Sequence, residues 1–296
     1  MQHVIGVIGL GNMGRNMAAT LVKKEFTVYG FDLSADVRQL ASEQGILPEN
    51  DVLELAKKCS TIILSLPKAE HVEAVCLGEN GLKAVLNQGT TIIDTTTSVA
   101  ETSRKVAQEL ESLGVEFVDA PVSGGPAGAA SGTMSMVVGG KKATYEHVLP
   151  VLEAMTRVRI HVGEVGAGNI AKIANNLLAA AHLITTAEAL TMAEKAGLDP
   201  EQALQAISAG SGGSAASQVM FPNWVMNKAY NSGFTMALMR KDVGLAKDLV
   251  ESLGLDLPMA QKTAELWRAS VDQVEDSDDF CAIAKCTNPA LFGEEK

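Results

Sequence analysis

Aromatic residues are scarce, at 4% of 296 positions. That scarcity removes the stacking platforms on which single-stranded nucleic acid is held. A basic excess is also missing: 24 Lys plus Arg stand against 35 Asp plus Glu, a formal net charge of -11. Such a chain repels phosphate backbones and anionic membrane surfaces. The cysteines Cys59, Cys76, Cys281 and Cys286 form no CxxC pair, and the histidines His3, His71, His147, His161 and His182 form no HxxxH. Neither a zinc site nor a disulfide framework is expected from that pattern. The N-terminal apolar run has no basic leader and breaks at Gly9, unlike a signal peptide. The apolar stretch after Asn176 is interrupted by His182, Thr185, Thr186 and Glu188, which excludes a comfortable membrane span. These absences predict a soluble cytoplasmic protein that binds no metal, no nucleic acid and no membrane.

What is present is enough apolar material, 47%, to bury more than one core. In the first half, Val4–Ile8, Thr27–Phe31, Thr61–Leu66, Thr91–Ile93 and Phe117–Val118 are short runs apolar on both faces. Parallel strands covered by helices on each side need that pattern. Helical stretches such as Met13–Lys24 and Ala100–Leu113 lie between them, and Thr133–Val138 and Val158–Val162 extend the β pattern. The reading is an α/β, doubly wound sheet of the Rossmann type. Beyond Gly163 the character changes. From Asn169 a helical pattern continues to Ala196 and stops at Gly197, making a helix ~40 Å long that suits an interdomain strut. Only helical patterns follow it. The expected organisation is a nucleotide-binding domain over 1–164 and an all-helical domain over 165–296, the long helix leading into the second.

Gly9-Leu10-Gly11-Asn12-Met13-Gly14 follows a strand and opens a helix, which is the setting in which GxGxxG approaches a pyrophosphate. Asp32 lies 18 residues beyond Gly14 at the end of the next strand, where an acid accepts from the adenosine ribose hydroxyls. Ser65-Leu66-Pro67 and Asp94-Thr95-Thr96-Thr97 end two further strands with small or hydroxyl side chains, and read equally as ligand-facing ends or ordinary turns. Asp119-Ala120-Pro121-Val122-Ser123-Gly124-Gly125 exposes N–H groups beside a hydroxyl, which suits a carboxylate or phosphate; by spacing alone a flexible turn explains it as simply. Lys172 and Asn176 share one face of the long helix. The helix dipole disfavours a cation so near the N-terminus, which suits a lysine that exchanges a proton; a solvated surface lysine is the plainer alternative.

Together these segments resemble the β-hydroxyacid dehydrogenase family. The resemblance rests on Val7 to Met17, on Asp119 to Gly125, on Gly166-Ala167-Gly168-Asn169-Ile170-Ala171-Lys172 through Asn176, and on Lys241-Asp242, in family order. It implies reversible hydride transfer between NAD and a small β-hydroxy acid or its semialdehyde, such as 3-hydroxyisobutyrate or 2-hydroxy-3-oxopropionate. Lys172 is then the general acid/base, Ser123, Gly124 and Gly125 hold the substrate carboxylate, and Asn176 orients the substrate. Gly9, Leu10, Gly11, Asn12, Met13 and Gly14 hold the pyrophosphate and Asp32 the ribose. Leu66, Pro67, Thr96 and Lys241 line the nicotinamide side. The family also implies a homodimer or homotetramer, with apolar runs such as Leu177–Ala181 as contact surface. Lys68, Ala237 and Ser211–Ser214 depart from the Asn, Asp and Arg that various relatives carry there, so the acid itself is not read. A non-catalytic dinucleotide-binding module on the same fold and a 6-phosphogluconate-type dehydrogenase are the competing accounts.

Overall fold

The computed structural model describes residues 4–293; His3 and the leader reading at the extreme N-terminus fall outside the described residues. The first unit spans Met1–Lys172 and the second Ile173–Lys296.

In the first unit, β1 (Val4–Ile8), α1 (Asn12–Lys23), β2 (Thr27–Phe31), α2 (Ala35–Ser42), β3 (Leu47–Pro48), α3 (Val52–Lys58), β4 (Thr61–Leu64), α4 (Ala69–Leu77), β5 (Thr91–Asp94), α5 (Ala100–Glu111) and β6 (Glu116–Asp119) follow one another. Then come β7 (Val122–Ser123), α6 (Gly125–Ser131), β8 (Met134–Gly139), α7 (Lys142–Met155) and β9 (Thr156–Gly163). The sheet runs β3-β2-β1-β4-β5-β6-β8-β7, with β9 beside β8. Its first six strands are parallel neighbours, β8 turns antiparallel to β6 and β7, and β9 is parallel to β8. Right-handed crossovers change the face on which the helices pack once the strand order reverses after β1, with α1 and α2 on one face and α3, α4 and α5 on the other, which is the Rossmann arrangement.

Alternation along each strand feeds two cores. Ile5, Val7, Ile63, Ile93 and Val118 pack with Met17 and Leu21 of α1 and with Val148, Val151 and Leu152 of α7. Their chain neighbours Ile8, Ile62, Leu64, Ile92 and Phe117 pack on the other face against Leu55 of α3, Val72 of α4 and Val106 and Leu110 of α5. Two faces buried this way require the short, continuously apolar strands that the sequence contains. β2 is the exception: Thr27, Tyr29 and Phe31 are only half-buried.

α8 (Ala167–Lys195) is one continuous helix of 29 residues. The sequence put the change of domain at 164, whereas the compact unit includes the first turns of α8 through Lys172. The reason is a set of side-chain bonds from that turn to the sheet, described below. The second unit continues with α9 (Pro200–Ala209), a π-helix over Ala216–Val225, α10 (Met236–Ser252), α11 (Pro258–Ala269), α12 (Ile283–Thr287) and α13 (Pro289–Phe292). Its core joins Leu183, Ala187 and Leu190 of α8 to Phe221, Met239, Trp267 and Phe292. The helical pattern there takes the π form; Pro222 lies inside it and has no N–H for a regular i to i−4 ladder. No helix among the described residues is long and apolar enough to cross a membrane.

Candidate active site

Register gathers the strand-end residues of the first unit along one edge. Ile8 stands opposite both Phe31 and Leu64, Leu64 opposite Asp94, and Asp94 opposite Asp119. The next residues, Gly9, Asp32, Ser65, Thr95 and Ala120, therefore leave the sheet side by side at its carboxyl edge, where ligands of open α/β sheets lie.

The turn after β1 has the form an NAD(P) pyrophosphate needs. Gly9 has φ +90, and a Cβ there would sit 2.3 Å from the Ser65 carbonyl oxygen. At Gly14 a Cβ would come within 1.9 Å of the Gly9 carbonyl oxygen, so α1 packs against the turn only because both side chains are hydrogen. A Cβ on Gly11, by contrast, would meet nothing within 4 Å. That open side is where a ligand can reach the backbone. Gly11 caps α1 without a side chain, and α1 has no acid in its first turn, leaving N–H groups and the positive helix end for an anion. Asn12 is exposed beside it, Met13 is half-buried and Leu10 is buried.

Asp32 is already engaged. Its Oδ2 accepts from the Leu10 N–H at 2.9 Å and its Oδ1 from the Ser34 N–H at 2.9 Å, which points the carboxylate along the glycine turn and leaves each oxygen a lone pair. Arg38 folds back: Nη1 donates to the backbone carbonyls of Asp32 at 2.6 Å and Leu33 at 3.2 Å. On the next strands, the Leu66 N–H donates to Thr96 Oγ1 at 3.1 Å, binding together the loops after β4 and β5. Pro67 is exposed and Leu66 half-buried.

Lys172 is buried on α8, and its Nζ donates to Ser123 Oγ at 2.7 Å. Ser123 ends β7 and is half-buried, with exposed Gly124 and half-buried Gly125 following. Lysine and serine are 49 positions apart, in what the sequence displays as two unrelated motifs. The start of α8 is held by Asp119, a fully buried carboxylate at the end of β6 that accepts from the N–H groups of Gly166 and Asn169, each at 2.7 Å. Burial pushes this carboxyl up to about 6, while the Gly166, Asn169 and Gly168 N–H groups pull it down. In the second unit, Asn176 Nδ2 donates to Asp242 Oδ2 at 2.6 Å, and Asp242 Oδ1 pairs with Lys241 Nζ at 3.3 Å. Asp242 is buried, and so is Asn176. No cluster of three or more potential metal ligands exists among the described residues.

Comparison with known proteins adds the following. Residues 4–166 match the family described as the NAD binding domain of 6-phosphogluconate dehydrogenase. Residues 166–287 match the family described as NAD-binding of NADP-dependent 3-hydroxyisobutyrate dehydrogenase. The chain is 37% identical to the 3-hydroxyisobutyrate dehydrogenase of Pseudomonas aeruginosa, over 95% of this chain and 97% of that one. It is 36% identical to the 2-(hydroxymethyl)glutarate dehydrogenase of Eubacterium barkeri, over 95% and 93%. The chain belongs to the β-hydroxyacid dehydrogenase family. A solved structure of the family, the Mycobacterium tuberculosis 3-hydroxyisobutyrate dehydrogenase with L-serine, matches with a TM-score of 0.91 at 33% identity, covering 97% of this chain and 100% of that one. This β-hydroxyacid dehydrogenase homologue is therefore an oxidoreductase with NAD(P)-binding domains. Among its residues, Asp119, Asn169 and Asp242 stand in the bonding network without having been singled out for a role. The signal for all three is in the sequence only as positions inside motifs, Asp119 and Asp242 as acids and Asn169 within Gly166–Lys172.

Proposed function

We propose that the protein is an NAD-dependent dehydrogenase of short β-hydroxy acids in which Lys172 is the general acid/base. The observation that carries this is the hydrogen bond from Lys172 Nζ to Ser123 Oγ at 2.7 Å. It brings an amine and a hydroxyl into direct contact beside the carboxyl edge of the sheet, which supports a proton-exchanging lysine next to a carboxylate anchor. During oxidation the neutral amine takes the proton of the substrate hydroxyl; during reduction the ammonium returns it and offsets charge developing on the oxygen. NAD, when bound, supplies the hydride acceptor. Ser123 Oγ and the N–H groups of Gly124 and Gly125 hold the carboxylate, and Asn176, its amide oriented by Asp242, fixes the substrate. The glycine turn takes the pyrophosphate, Asp32 the ribose, and Leu66, Pro67, Thr96 and Lys241 the nicotinamide side.

The names of the relatives support a substrate class. 3-Hydroxyisobutyrate, 2-(hydroxymethyl)glutarate and L-serine share a primary CH2OH next to a carbon that bears a carboxylate, and differ only in the third substituent. A 2-substituted 3-hydroxypropanoate is the proposed substrate. The test follows NADH absorbance with those three acids, their semialdehydes, and alcohols of the same size without the carboxylate. Turnover confined to the acids supports the reading, equal turnover of the plain alcohols defeats the anchor, and no turnover at all favours the non-catalytic dinucleotide-binding module.

Cofactor choice follows from Asp32. Its carboxylate repels the 2′-phosphate of NADP, and with Leu33 next in sequence the nearest arginine downstream is Arg38, which folds back onto the Asp32 carbonyl. Steady-state kinetics are expected to give a kcat/KM preference for NAD of roughly tenfold, about 1.4 kcal/mol. Arg38→Ala should widen the gap; equal use of NADP by the parent refutes this role for Asp32. Assembly as a homodimer or homotetramer is proposed on Leu178 and Met192, 58% and 71% exposed on α8 and about four turns apart on one face. Closed symmetric oligomers bury such faces, so light scattering at micromolar concentration should give a multiple of 31.0 kDa. A monomeric mass contradicts this.

A further inference from the structure

We propose that Asn169 is a positioning residue that latches the loop after β5 to the first turn of α8, fixing Lys172 relative to Thr96. The proposal rests on the assignment of Lys172 as acid/base.

Asn169 is fully buried and bonded on three sides. Its Oδ1 accepts from the Ser98 N–H at 2.9 Å, its Nδ2 donates to Ser103 Oγ at 3.0 Å, and its own N–H donates to Asp119 Oδ2 at 2.7 Å. The amide orientation follows from chemistry, because a backbone N–H can only donate and so must face the carbonyl oxygen. The side chain thereby ties the loop after β5 to α5, while the backbone N–H of the same residue holds the end of β6. Ser98 is two residues beyond Thr96, which is itself tied down by the Thr96 N–H to Asp94 Oδ1 bond at 3.0 Å and by the Leu66 N–H. Lys172 lies three residues beyond Asn169 on the same helix, close to one turn. The packing leaves no slack, since a Cβ on the neighbouring Gly168 would come within 2.5 Å of the Asp119 carbonyl oxygen.

The network uses none of the atoms that would touch substrate. Ordinary stability does not require a helix start to be tied to this particular loop, because Asp119 already satisfies the Gly166 and Asn169 N–H groups. What the side chain of Asn169 adds is alignment between the loop assigned to the nicotinamide and the amine assigned to the proton. A small misplacement of reacting groups is enough to cost up to ~100-fold in rate.

The experiment compares Asn169→Ala and Ser103→Ala with the parent, using NAD and 3-hydroxyisobutyrate, 2-(hydroxymethyl)glutarate and L-serine as probes. Asn169→Ala should lower kcat on the order of tenfold, with KM for the acid little changed because Ser123 and its neighbours are intact. On a Lys172→Ala background the same change should cost almost nothing further. Independently of turnover, hydrogen exchange at the Ser98 amide should accelerate by about tenfold once its acceptor is gone. Should Asn169→Ala not fold, Ser103→Ala decides, since it keeps the Ser98 bond and frees only the amide nitrogen; a kcat drop of about two- to fivefold is expected. Unchanged kcat in folded Asn169→Ala, or an equal loss with and without Lys172, overturns the latch. Normal turnover by Lys172→Ala alone would instead show that the acid/base assignment has failed, and the latch with it.

Discussion

Replacing Lys172 by alanine is expected to lower kcat by ~10²–10⁴, the range for loss of a positioned general acid/base. The amine has no understudy one turn away on α8: the polar positions there are Asn169, held by Ser98, Ser103 and Asp119, Asn176, held by Asp242, and Asn175, which donates to Asn176, and none of these amides titrates. Affinity for NADH should stay within a few-fold, because the glycine turn and Asp32 do not depend on the lysine. Lys172→Arg separates proton transfer from charge. A guanidinium keeps the positive charge but does not deprotonate, so this variant should be as slow as the alanine in the oxidation direction. Steady-state kcat with NADH formation measures both. Turnover of Lys172→Ala within tenfold of the parent, in protein shown to be folded, removes the lysine from the mechanism.

The second large effect concerns stability. Asp119 is buried at the end of β6 with its carboxyl raised from 3.8 to about 6, which means the folded chain binds that proton more tightly than the unfolded chain. The stabilisation from the neutral form is complete below about pH 4 and is lost as pH rises through about 6, a swing on the order of 3 kcal/mol at 1.36 kcal/mol per unit. Asp119→Asn cannot titrate and sets an amide N–H against one of the two N–H groups at the start of α8, so it should be destabilised throughout. Denaturant unfolding of both proteins should show the parent's advantage shrinking from pH 4 to pH 6. An advantage that grows over that interval would mean that the two 2.7 Å bonds favour the carboxylate more than burial penalises it.

The sheet was legible because its physics is local. β1, β4, β5 and β6 each have to be apolar on two faces, and such short runs are visible in a bare sequence. β3 and β7, two residues each, carry no periodicity at all, and β7 exists because β8 lies beside it. α6 and α7 were not singled out; α6 is built from Gly125-Pro126-Ala127-Gly128, a composition that reads as a turn. The start of α8 at Ala167, ahead of the expected Asn169, depends on a carboxylate 47 positions earlier accepting from Gly166. The same distance in sequence concealed the partners of Asn169 and the pairing of Lys172 with Ser123. Motifs located the candidate site residues one by one; only the fold says which atoms meet.

The bonds at Asp119 also decide where this chain can be cut. A fragment ending at 166, where one family match gives way to the next, would keep the carboxylate and discard the Asn169 and Gly168 N–H groups that act on it, while Ser98 and Ser103 would lose their amide. The severed surface would hold a buried acid facing an empty place in its own packing. A nucleotide-binding half intended to stand alone has to carry the first turns of the long helix with it, through Lys172 at the least, and the lysine then travels with the half that holds its serine.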